Sequence, residues 1–136
     1  MVKIDVVYGG ALHCRLNHGP SGMEITTDAP KDNLGKGEAF SPTDLVAAAL
    51  ASCMLTTMGI VAQRKNFKLG EVTAQVTKEM TPAPPRRIAK LSVTIQMPKG
   101  HSPEERVLLE HAATACPVHK SLHPEVQIPV KFEYPD

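Results

Sequence analysis

The sequence predicts an α+β domain, and three observations predict it. Short stretches alternate apolar and polar residues at a period of two, as half-buried strands do. Between them, Leu45–Ala62 carries no charge and shows apolar or small side chains on every face, the pattern of a helix buried all round. A second stretch, opened by Ser102-Pro103-Glu104-Glu105, has the cap, first-turn proline and acidic residues of a helix start. Alternating rather than continuous strands argue for an antiparallel sheet with one wet face. At 136 residues the chain is read as one domain over 1–136, long enough to bury a core without disulfides or metal.

In order, residues 2–8 read as a strand, Gly9-Gly10 as a hairpin turn and 11–16 as the returning strand. The cluster 17–22 is a second turn and 23–27 a short third strand. The polar, glycine-bearing stretch 28–40 forms a loop of a length that often carries function, with a plain surface connection as the alternative. The long helix then covers 41–65, with Ser41 as cap, Pro42 at its first position and Asp44 at its positive end. Residues 71–79 and 88–97 are strands joined through Thr81-Pro-Ala-Pro-Pro85, and Leu91, Val93, Ile95 and Met97 share one face. The second helix is expected to bury Val107, Leu108, His111, Ala112 and Ala115. It breaks at Cys116-Pro117 and resumes over 118–122. The last segment alternates from Val126 to Tyr134, and Pro129 marks it as an edge strand or a bulge. So small a domain has little material with which to wrap every side of the central helix, which points to a second subunit.

Composition narrows the function. Charged residues are 21% of the chain and the formal net charge is +1, so no strong field calls for nucleic acid or an anionic membrane. Met1-Val-Lys-Ile-Asp runs directly into a strand pattern, so no signal peptide is expected. The uncharged helix is nearly long enough to cross a bilayer. Its alanines, with Ser52, Thr56, Thr57 and Gly59, fit a buried helix better. Three cysteines, with no CxxC, fit a reducing cytoplasm in which isolated thiols are apolar groups or reactive ones.

Cys53 lies mid-helix among Val46, Ala49, Leu50, Thr56, Thr57 and Ile60, where burial raises a thiol's pKa and the threonine hydroxyls can partly solvate a thiolate. Cys116 precedes Pro117 and sits where a helix N-cap would sit, so on these residues it is the more acidic thiol. Each also fits a packing cysteine. Together they suggest a pair in which one thiol attacks a peroxide, becomes a sulfenic acid and is condensed by the other. An arginine is the natural helper, because it holds peroxide oxygens without losing its charge. Two other readings use the same residues. Cys116, His119 and His123 at i, i+3, i+7, with Cys53, present a possible zinc set. A pocket lined by Leu50, Met54 and Met58 would suit a binding protein without catalysis. Cys14 reads as a small strand residue, and His13 and His18 show no constellation in sequence.

The stretch Gly37-Glu-Ala-Phe-Ser-Pro-Thr-Asp-Leu-Val-Ala-Ala-Ala-Leu-Ala-Ser-Cys53-Met, followed by Cys116-Pro-Val-His-Lys-Ser-Leu122, resembles the OsmC/Ohr family in letters and spacing over nearly the whole chain. The resemblance implies an OsmC-like fold, a curved antiparallel sheet around a long buried central helix, in an intertwined homodimer. It implies reduction of organic hydroperoxides without cofactor or metal, with Cys53 as peroxidatic thiol, Cys116 as resolving thiol and an external dithiol as reductant. The family pairs its reactive cysteine with an arginine and a glutamate ten residues before it. Thr43 stands at that position here and Asp44 follows one residue later, about 100° further round a helix. Asp44 and Arg15 are therefore the candidate carboxylate and arginine, with helix capping and a solvated surface as their ordinary roles; Arg86 and Arg87 read as a surface or dimer-contact pair.

Overall fold

The alternating start of the chain folds as an antiparallel meander in the computed structural model, which describes residues 1–135. Its strands are β1 (Ile4–Gly10), β2 (His13–His18) and β3 (Glu24–Asp28). The first turn differs from expectation. β1 continues through Gly10, and the chain reverses at Ala11 and Leu12, whose φ angles are 54° and 64°. A two-residue hairpin whose twist matches its strands needs both central residues left-handed. The glycines are used instead at the bulge between Tyr8 and Gly10, where Gly10 has φ 91°. Beyond β3, the loop folds back over Asp28 through one 3₁₀ turn at Lys31–Asn33. Gly35 lies so close to the Ala29 carbonyl that a Cβ would come within 1.7 Å of that oxygen.

The chain forms two compact units, Met1–Val46 with this meander and Ala47–Asp136 with the rest. The long helix α1 (Pro42–Arg64) begins in the first and runs through the second. Ser41 caps it: its Oγ accepts from Asp44 N–H at 3.1 Å, and Asp44 Oδ2 accepts from Ser41 N–H at 2.9 Å. An aspartate thus fills the glutamate place of a capping box.

In the second unit, β4 (Thr73–Met80) pairs antiparallel with β5 (Ile88–Gln96), and β5 pairs with β6 (Val130–Glu133). The β5–β6 pair is parallel, with Val93 opposite Val130, so this sheet is mixed rather than antiparallel. Alternation reports one wet face and not strand direction. The crossover through α2 (Pro103–Thr114) and α3 (Pro117–Ser121) is what returns the chain parallel. β6 is shorter than its alternating pattern. Pro129 has no N–H to give, yet its carbonyl accepts from Val93 N–H at 2.9 Å, and Gln127 rejoins the ladder opposite Lys90.

The core is one cluster. It joins Ala47, Leu50, Met54, Met58 and Ala62 of α1 to Leu91, Val93, Ile95 and Met97 of β5 and its end, with Leu109, Ala112, Ala113 and Cys116. Two expectations change here. α2 buries Leu109, Ala112 and Ala113, while Val107 is 71% exposed and His111 and Ala115 face outward. Cys116 sets that phase: counting back three, four and seven residues from it gives Ala113, Ala112 and Leu109. Nor is α1 buried all round. One stripe is covered, while Ala49, Ser52, Thr56 and Ile60 are exposed on the other side. By length and composition α1 would suffice to cross a membrane. Its covered stripe serves instead as core.

Candidate active site

Two thiols meet within the second unit. Cys53 lies half-buried on α1 beside the covered stripe, at the edge of the core. Cys116 is fully buried as the N-cap of α3, held in extended conformation by the break that Pro117 forces. Its Sγ accepts from His119 N–H at 3.4 Å, the cap bond expected from the sequence. Burial pushes the Cys116 thiol above its ordinary range. The His119 N–H opposes that shift, and the hydrogen bond and charge of the neighbouring Cys53 thiol reinforce it. The cap is present, but desolvation in the core outweighs one backbone N–H. Both cysteines are free thiols.

Thr57 completes the local geometry around Cys53. Its hydroxyl donates to the Cys53 carbonyl at 2.8 Å, while Oγ1 lies 4.0 Å from Cys53 Sγ. With its proton committed to the carbonyl, the hydroxyl offers the sulfur a lone pair.

The other predicted site residues are placed elsewhere. Asp44 is engaged in the Ser41 cap and stands nine residues before Cys53, ~13 Å away at helical rise. Arg15 is exposed on β2, opposite Val7 and Thr26 in the meander. Cys14, half-buried, pairs across the same strands with Tyr8 and Thr27, a strand position as expected. Arg87 pairs with Glu125 at 3.2 Å.

Known proteins share this fold. A family model described as OsmC-like protein matches residues 35–131. The chain belongs to the OsmC-like family. A crystal structure of a candidate osmotic stress induced and detoxification response protein from Psychrobacter arcticus 273-4 is 43% identical. It superposes with a TM-score of 0.90 over 98% of this chain and 96% of that one. An organic hydroperoxide resistance protein OsmC from Legionella pneumophila shares the fold at 20% identity and TM-score 0.74, covering 98% and 96% of the two chains. Another organic hydroperoxide resistance protein, from Elizabethkingia anophelis, does so at 17% identity and TM-score 0.78, with the same coverage. No curated protein matches.

In this OsmC-like chain the two competing readings of the cysteine region lose their geometry. The helix breaks between Cys116 and His123, and His123 Nδ1 accepts from Glu125 N–H at 3.1 Å, so Cys116, His119 and His123 do not lie on one continuous helix. Leu50, Met54 and Met58 are each 0% exposed and fill the core, so they line no open pocket.

A different cluster was not foreseen. His13 Nε2 lies 3.5 Å from Asp28 Oδ2 and 3.3 Å from Glu38 Oε1. Asp28 is buried, and its Oδ2 accepts from Glu38 N–H at 2.9 Å. That N–H holds the Asp28 carboxyl below its ordinary range; burial opposes the shift and His13 adds to it. The stretch 28–40 reads in sequence equally as a functional loop or a surface connection, and its histidine partner lies fifteen residues before Asp28, beyond the reach of any local motif.

Proposed function

We propose that this OsmC-like chain is a thiol-dependent peroxidase that reduces organic hydroperoxides. The observation that carries the reading is the meeting of two free thiols, one at the edge of the core and one inside it. Cys53 is the accessible partner, and its thiolate attacks the distal peroxide oxygen. The O–O bond breaks, the alcohol leaves with a proton, and Cys53 becomes a sulfenic acid. Cys116, kept as a thiol by burial, then condenses with it: the S–S bond forms and water leaves with the thiol proton. An external dithiol supplies the two electrons that restore both thiols. Buried Cys116 suits the resolving role because it is shielded from peroxide until Cys53 is oxidised.

Within this reading Arg15 is the candidate cation for the peroxide, and Asp44 acts through the start of α1 rather than on the reacting atoms. The working unit is a homodimer in a reducing cytoplasm. Support for the dimer lies in the uncovered stripe of α1 and in the meander, where Ile4, Val6, Tyr8, Met23 and Ile25 are all about half exposed or more. An apolar groove between Ile4, Leu16, His18, Met23 and Ile25 adds to that surface. Three strands with so much bare apolar surface need a cover.

The test is steady-state consumption of tert-butyl hydroperoxide with dithiothreitol as reductant. Cys53→Ser should abolish turnover, and Cys116→Ser should slow it while leaving Cys53 oxidisable. Turnover by Cys53→Ser at the wild-type rate would refute the mechanism.

A further inference from the structure

We propose that His13, Asp28 and Glu38 form a divalent-cation site, suited to zinc or a similar first-row ion, at the turn end of the β1–β3 meander. The three side chains offer one nitrogen and two carboxylate oxygens, all within 4.8 Å of one another. This site is separate from the thiol chemistry and stands whether or not the peroxide reading does.

The spacings favour an ion over a simple ion pair. A charge-assisted N–H···O bond closes to about 2.7–2.9 Å, and a single Nε2 proton serves one acceptor well. Here Nε2 stands 3.3 Å from Glu38 Oε1 and 3.5 Å from Asp28 Oδ2, too far for either bond to be a strong one. With metal–ligand bonds of about 2.0–2.1 Å, the edge of a tetrahedral site is roughly 3.3 Å. The two separations from Nε2 match that edge, and the two carboxylate oxygens lie within 4.8 Å of each other. Octahedral ligands at about 2.1 Å would be closer, near 3.0 Å.

Two further observations point the same way. His13 Nδ1 lies 2.7 Å from the Ala11 carbonyl and donates to it, which fixes the ring with Nε2 turned to the carboxylates, as in an oriented metal ligand. The left-handed turn at Ala11–Leu12 places that carbonyl. Secondly, Asp28 is 1% exposed: Oδ2, the oxygen turned to His13, takes the Glu38 N–H, and the Ala29 and Lys36 N–H groups also favour the carboxylate, yet Oδ1 has no partner at full hydrogen-bond geometry. A buried carboxylate oxygen without a donor is costly unless a cation compensates it. Glu38 is 58% exposed, so water can reach a fourth position from its side.

Calorimetric titration of the reduced protein with zinc chloride tests the proposal, with cobalt(II) absorption as the second readout. We expect one zinc site per chain that His13→Gln and Glu38→Gln each weaken by about tenfold or more. Glu38→Gln alters an exposed side chain and keeps the fold, so a loss there does not reflect unfolding. The cobalt form should show the ligand-field bands of a tetrahedral ion without a thiolate charge-transfer band. Absence of zinc binding, binding unchanged in both variants, or a strong thiolate band that disappears with Cys53→Ser would each overturn it.

Discussion

Single residues decide most of the chemistry in this chain. Cys116 shows how one position can carry two opposed effects. As a cap its sulfur receives an N–H, and as a core residue it loses water, and the second effect wins. Tyr134 shows the same balance. Burial, then the hydrogen bond that its hydroxyl donates to Glu110, push its pKa from 10.0 to about 12, while Arg106, whose guanidinium lies 4.1 Å from the ring centroid, opposes. The folded tyrosine keeps its proton at a pH where the unfolded chain has lost it, so stability is full below 10.0 and falls as pH rises towards about 12. Tyr134→Phe should flatten that decline in denaturant titrations across this window, and an unchanged slope would contradict the assignment. At the start of α2, Ser102 accepts from Glu105 N–H at 3.1 Å and Glu105 returns a bond to Ser102 N–H at 3.1 Å. Ser102→Ala should cost about 1 kcal/mol in chemical denaturation.

At the scale of elements, capping and periodicity made much of the fold legible in the sequence. The Ser-Pro starts placed both long helices within a residue or two, and Leu91–Met97 gave the buried face of β5 correctly. What stayed hidden depends on tertiary choices. Gly9-Gly10 looked like the turn, yet the twist of β1 and β2 moved it to Ala11–Leu12. α2 turned Leu109 inward because Cys116 was already committed to the core. A left-handed residue other than glycine is strained by ~1–2 kcal/mol. The double substitution Ala11→Asn, Leu12→Gly should therefore raise the thermal midpoint, the type of pair such turns prefer. A fall in that midpoint would show that the Leu12 side chain contributes more than its backbone costs.

For the whole molecule, the central question is what covers the bare face of α1 and the outer surface of the meander. The two cysteine motifs were readable in sequence because each sits at an element the sequence also predicts. The His13–Asp28–Glu38 cluster was not, because its members come together only when β2 pairs with β3 and the loop folds over Asp28. If a second copy covers α1, then Ile60→Glu, at a position 43% exposed in the single chain, should shift the protein from dimer to monomer in sedimentation. A wild-type monomer would remove the dimer from the account.

The meeting of Cys53 and Cys116 is tested most directly by peptide mapping after treatment of the reduced protein with stoichiometric tert-butyl hydroperoxide. The expected result is loss of two thiols per chain and recovery of a Cys53–Cys116 disulfide peptide, with Cys14 still free. Both thiols surviving excess hydroperoxide, or a disulfide that instead includes Cys14, would contradict it.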